Sequence, residues 1–217
     1  MSGKHGLNPD DAKVLEELEK LIGKEIPKID DVNPNWDPFI HGVVIKGDQI
    51  TGLALFNCGI KELPDSLSNL KSLNTLFIKT NKLKTLPDSL MGVKTLQALY
   101  VIENELEELP ESIGQLESLK LLSLSLNKLE QLPATLGQLK ALTELDVADN
   151  KLKELPDSFG QLTSLHTLHI NSNKLKKIPV SILDLPLSFV NAMANKLDKD
   201  SKGLLKQLEE KGVSVSY

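Results

Sequence analysis

Prolines recur at 64, 87, 110, 133, 156 and 179, each preceded by Leu or Ile and each 23 residues after the last. A unit this short cannot enclose a core by itself, so its copies must stack and share one, which makes the chain a solenoid. The composition agrees: leucine dominates and aromatic residues are only 4% of the 217, as expected when one small unit is repeated.

Six residues before each proline stand Cys58, Asn81, Asn104, Asn127, Asn150 and Asn173. Around Asn150 the chain reads Leu142-Thr-Glu-Leu145-Asp-Val147-Ala-Asp-Asn150-Lys-Leu152, the pattern L-x-x-L-x-L-x-x-N/C-x-L. A seventh copy, Leu187 to Leu197, places Asn195 after a repeat one residue shorter. Leu145 and Val147 point to one side of a short strand, and Glu144, Asp146 and Ala148 to the other. The asparagine turns the chain inward, where its amide can donate to and accept from backbone groups otherwise buried unpaired. Cys58 takes that place in the first repeat as a small buried structural residue. Stretches such as Pro64-Asp-Ser-Leu67-Ser-Asn-Leu70 predict a short outer helix with proline in its first turn. The predicted fold is α/β, a right-handed leucine-rich-repeat solenoid with a parallel concave sheet, short convex helices and irregular helical caps.

The ends break the pattern, because an uncovered end repeat would show its core to water. Residues 1–49 read as an N-terminal cap. Asn8-Pro9-Asp-Asp starts a helix with an apolar stripe of Val14, Leu15, Leu18, Leu21 and Ile22 before Gly23. An irregular loop, Asn33 to Pro38, carries Trp36, and Val43 to Leu53 form a hairpin turning at Gly47-Asp48. Residues 50–198 hold seven repeats, and 199–217 a helix with Leu204, Leu205 and Leu208 on one face, then a last strand over Val213 to Tyr217. All of it is expected to be one domain.

Charge excludes some functions. The balance of 25 basic against 30 acidic residues gives −5, and every basic residue is lysine. Without arginine and without a basic footprint, a nucleic-acid role is not expected. Cys58 has no cysteine to pair with, the first residues lack the apolar core of a signal peptide, and no apolar run reaches the roughly 18 residues of a membrane span. The expected location is cytoplasmic, with no membrane partner. A Gly-rich phosphate loop, zinc-type Cys/His spacing and a GTPase signature are all absent from the sequence, so no cofactor or metal is expected.

Asn127-Lys-Leu-Glu-Gln-Leu-Pro133-Ala-Thr-Leu-Gly-Gln-Leu139 fills nearly every position of the 23-residue N-x-L-x-x-L-P-x-x-L/I-x-x-L-x-x-L signature. Over about residues 50–198 the chain resembles cytoplasmic leucine-rich-repeat proteins of the Ras-suppressor and Ras–Raf scaffold type, the Erbin/Scribble group, plant Ras-group repeat proteins and Roco proteins. The resemblance implies non-catalytic protein binding, with a small GTPase or a kinase among the candidate partners.

Aligning the repeats turns the outward strand positions into columns. Phe56, Phe77, Tyr100, Ile102, Leu121 and Leu126 form an apolar and aromatic patch expected to meet solvent, and such patches usually mark interaction. Glu103, Glu144, Asp146 and Asp149 add acidity, with His169 one repeat beyond. These residues are the candidate partner-binding site, and Cys58, Asn81, Asn104, Asn127, Asn150, Asn173 and Asn195 the structural ladder. Ser123, Asp146 and His169 share one column, but a hydrolase triad needs its histidine between serine and carboxylate, and here Asp146 is central. His166 and His169 point to opposite faces of a strand and cannot share an ion. Lys82, Lys128, Lys151, Lys174 and Lys196, interrupted by Glu105, line one rim and read as a solvated face that could steer an acidic partner. The expected function is a protein-interaction scaffold, monomeric rather than homodimeric. The alternatives are a self-associating structural module and a ligand-sensing receptor repeat.

Overall fold

A computed structural model describes residues 4–33 and 39–217; Trp36 and the rest of its loop lie outside the described residues. Among the described residues the chain forms one nine-stranded sheet in sequence order. Helix α1 (Pro9–Ile22) comes first, followed by β1 (Gly42–Lys46) and β2 (Gln49–Phe56). Then come β3 (Thr75–Lys79), β4 (Ala98–Ile102), β5 (Leu121–Ser123), β6 (Glu144–Asp146), β7 (Thr167–His169) and β8 (Phe189–Asn191). Helix α2 (Lys199–Glu210) and β9 (Ser214–Ser216) close the chain. From β2 to β9 every pair is parallel, and only β1 runs antiparallel, as the first arm of the expected hairpin. Its two-residue turn is made possible by Gly47, at φ +63°.

The convex elements are 3₁₀ turns of five residues, such as Asp65–Asn69 and Glu111–Gln115. Each proline sits just before its turn rather than inside it: Pro64 and Pro110 are extended, and their carbonyls accept from Leu67 and Ile113 at 3.1 and 3.0 Å. So few residues separate each proline from the next strand that tight i→i+3 bonding suits the span better than an α-helix. Neighbouring turns lie close, and a Cβ on Gly137 would fall 2.4 Å from the Ser158 carbonyl oxygen. Ser89 Oγ donates to Asp65 at 2.7 Å, so part of the convex face is tied together from repeat to repeat.

Leucines at the repeating positions form one core running from Leu7 to Leu208. The asparagine ladder bridges its layers. Asn127 Oδ1 accepts from the Leu106 amide at 2.9 Å, and its Nδ2 donates to Val101 O at 2.7 Å in the repeat before and to Leu124 O at 3.0 Å in its own. Asn81, Asn104, Asn150, Asn173 and Asn195 make the same kind of bridge. Cys58 does not, and it is half-buried rather than buried. Its thiol donates to Phe56 O at 3.3 Å and lies 3.5 Å from His41 Nδ1. The layer before it is the antiparallel β1, which presents no equivalent repeat to span. Burial pushes the thiol pKa up, against the pull of Lys24.

The residue before each ladder position is left-handed: Asn57, Thr80, Glu103, Leu126, Asp149, Ser172 and Ala194 have φ between +48° and +57°. This residue, rather than the asparagine that the sequence pattern suggests, makes the inward turn. The amides still reach the next strand, as Leu126 does to Ala148 O at 3.1 Å.

Asn8 caps α1 by accepting from the Asp10 and Asp11 amides, and left-handed Gly23 ends it. Glu19 Oε1 takes the Ile26 amide at 2.8 Å and Lys4 Nζ at 2.7 Å. Burial pushes the Glu19 carboxyl upward, but the Lys4 ammonium and the Ile26 amide outweigh it and hold its pKa below the usual range. A carboxyl depressed on folding stabilises above its unfolded pKa, and that stabilisation is lost as pH falls through the folded value. Glu19→Gln is therefore expected to melt below wild type at neutral pH and level with it once both are acidified past the carboxylate range. A melting gap of equal size at both pH values would contradict this.

Candidate functional site: the concave sheet

Strand register places the columns as aligned from sequence: Ala54, Phe77, Tyr100, Ser123, Asp146, His169 and Asn191 stand side by side across β2 to β8. Gly52, Thr75, Ala98, Leu121, Glu144, Thr167 and Phe189 form the next column.

The expectation that the whole aromatic patch meets solvent is corrected at its N-terminal end. Phe77 is 0% exposed and belongs to a second apolar cluster with Val32, Val44 and Ala54. Ile29, Ile40, Tyr100 and Ile102 pack against that cluster, half-buried. Ile29, Val32 and Ile40, ahead of β1, together with Val44 on it, thus cover the concave side at repeats one and two, where Val43 N–H donates to Pro27 O at 2.8 Å. Phe77 and Tyr100 meet edge to face, with centroids 5.7 Å apart. Phe56 lies at the margin, its ring 5.1 Å from Phe39, while Lys79 Nζ lies 5.4 Å from the Phe39 centroid.

Past Tyr100 the sheet is open. Leu121 is partly exposed, Leu126 is 49% exposed, and Met193 at the far end is 53% exposed. Glu103 and Asp149 are exposed, and Glu144, Asp146 and His169 partly so. Thr80 Oγ1 donates to Glu103 at 2.8 Å. Asp146 is fixed at both oxygens, by Ser123 Oγ at 3.0 Å and the Ala148 amide at 3.0 Å. Burial raises the Tyr100 pKa, and the Glu144 charge raises it further. Among the described residues, no lysine or histidine forms an ion pair with Glu144, Asp146 or Asp149.

The Ser123–Asp146–His169 column keeps the order that a hydrolase cannot use. Ser123 is only 5% exposed and bonds the carboxylate directly, while His169 packs on Phe189, ring centroids 5.1 Å apart. Among the described residues no group of three or more His, Cys, Asp or Glu is placed to hold a metal, and no helix is long and apolar enough to cross a membrane.

Leu126 combines exposure with a left-handed backbone that costs an L-residue about 1–2 kcal/mol. Asparagine tolerates that conformation better, so Leu126→Asn is expected to raise the denaturation midpoint, by up to about 1 kcal/mol in stability. A lowered midpoint would show that the leucine contributes to folding. Sequence alignment missed two features: the cover from Ile29, Val32, Ile40 and Val44, and the extension of the open face to Phe189 and Met193. The first had a signal in Val43-Val44-Ile45, an apolar run that buries both faces of a strand.

Residues 111–209, just under half of the chain, match the family model of a leucine-rich repeat region. No curated protein matches the sequence significantly. Among solved structures the chain is similar to a leucine-rich-repeat protein of Leptospira interrogans, at 27% identity and TM-score 0.56, over 80% of this chain and 47% of that one. It is similar to the PEPR1–AtPEP1 structure at 25% identity and TM-score 0.75, over 97% of this chain and 31% of that one. It is also similar to the plant peptide hormone receptor RGFR1 in complex with RGF2, at 30% identity and TM-score 0.58, over 64% and 23%. The chain spans less than half the length of each of these. Its fold is the leucine-rich-repeat solenoid.

Proposed function

We propose that this chain is a non-catalytic interaction scaffold that receives a protein or peptide on the open stretch of its concave sheet, from Tyr100 to Asn191. The observation that carries the reading is the pairing of an exposed Leu126 on an uncovered sheet face with carboxylates at 144, 146 and 149 that, among the described residues, form no ion pair. An exposed apolar side chain beside unpaired carboxylates points to use outside the fold. A rigid sheet loses little freedom on binding, so affinity follows from preorganisation. The chain acts as a monomer, because the Phe77 and Tyr100 surface that could pair two copies is largely occupied by its own cap. A cytoplasmic location suits the free Cys58 thiol, and the Ras-suppressor-type repeat makes small GTPases and kinases the first partners to try.

The test places a photo-crosslinking residue at 126 or 169 on the concave side, and at 157 on the convex side, in the full chain within its native lysate. The same protein crosslinked from 126 and 169 but not from 157 is the expected result. Crosslinking from 157 alone would move the binding surface to the convex side.

A further inference from the structure

We infer that the C-terminal half of the rim following the asparagine ladder is a docking surface for an extended acidic peptide segment, separate from the concave face. The backbone of this rim is stacked layer on layer. The Lys151 amide donates to Leu129 O at 2.9 Å, Lys174 to Leu152 O at 2.9 Å and Lys196 to Leu175 O at 3.0 Å, so these lysines occupy one position on successive repeats. A second file runs beside it, where the Lys176 amide meets Lys153 O at 3.5 Å. Lys153, Lys174, Lys176, Lys177 and Lys196, with Glu154, line an open cleft of about 530 Å³.

The charge is segregated along the rim. Toward the N terminus carboxylates interleave with the lysines: Lys128 pairs with Glu105 at 2.7 Å, beside Glu107 and Glu108, and Lys82 and Lys84 act on the same Glu105 carboxylate through charge. Lys153 pairs with Glu130 at 2.6 Å. Past that point Lys151, Lys174, Lys176, Lys177 and Lys196 have no carboxylate in ion-pair contact among the described residues. Stacking like charges on adjacent layers works against folding, and a chain already carrying −5 does not need them for solubility. The array is linear across the layers, which suits an extended polyanion, and the lysine stems supply apolar walls for its backbone. Nucleic acid fits less well: the cleft holds no arginine for phosphate and no aromatic ring for a base. A membrane fits less well too, because the cleft has no apolar side chain to insert and Glu154 lies within it.

The experiment is fluorescence anisotropy on the full chain, with a labelled Glu-rich peptide, its Gln counterpart, a uridine-rich RNA of similar length and phosphatidylserine vesicles as probes. Wild type should bind the Glu peptide at low ionic strength and release it as salt rises, and should not hold the Gln peptide. The triple variant Lys174→Glu, Lys176→Glu, Lys177→Glu should weaken binding at least about tenfold. Lys82→Glu with Lys84→Glu, on the other half of the rim, should leave it unchanged. So should Asp146→Lys, which disturbs the concave site, so the two surfaces can fail independently. Circular dichroism melts establish that each variant is folded. Absent Glu-peptide binding, equal binding by the folded triple variant, or preference for the RNA or the vesicles would overturn the inference.

Discussion

Truncating Phe77 to alanine is expected to cost about 3–5 kcal/mol of stability, the penalty for emptying a fully buried aromatic site. From sequence alone the opposite holds, because position 77 faces away from the leucine core and its truncation should touch only binding. The difference lies in what covers it. Val32, Val44 and Ala54 close over the ring, and Tyr100 meets its edge. The same substitution should loosen the segment that carries Ile29 and Ile40, so amides around Ile29 and Val43, which bond to each other's strand region, should exchange faster. An unchanged denaturation midpoint for Phe77→Ala would mean that the cap does not close the N-terminal end of the concave face.

Asn127→Ala is expected to cost about 2–3 kcal/mol, because it leaves the Leu106 amide and the Val101 carbonyl buried without partners. One side chain here serves two layers, so the loss should also reduce cooperativity between the halves of the solenoid. Lys128→Ala, one residue on, removes an ion pair whose side chains are 44% and 36% exposed, and should leave the midpoint close to that of wild type. Urea denaturation of both variants separates the two; equal midpoints would refute the bridging role of the ladder.

Much of this molecule was legible because its constraints are periodic. The proline interval fixes the layer, the ladder residues fix the strand ends, and the register of Ser123, Asp146 and His169 follows from counting. What counting could not reach was non-periodic. The segment around Ile29 and Val32 belongs to no repeat, so nothing in the alignment says on which face it lies; only Val43-Val44-Ile45 hinted that β1 is covered on both sides. The left-handed column was hidden for another reason: residues as different as Thr80, Leu126 and Ala194 occupy it, so the conformation is imposed by the stack rather than by local preference. Cys58 shows a ladder position changing character where the preceding layer runs antiparallel. In the sequence the lysine rim is a column interrupted by Glu105, but its neutralisation by Glu105 and Glu130 depends on pairs across layers and appears only in three dimensions.

The account turns on the open half of the concave sheet as the binding surface. Its most direct measurement is a titration of the captured partner against wild type, Asp146→Lys and the convex variant Asp157→Lys, each shown to be folded. Asp146→Lys should weaken binding at least about tenfold while Asp157→Lys binds as wild type does. Loss of binding in Asp157→Lys with full affinity in Asp146→Lys would contradict it.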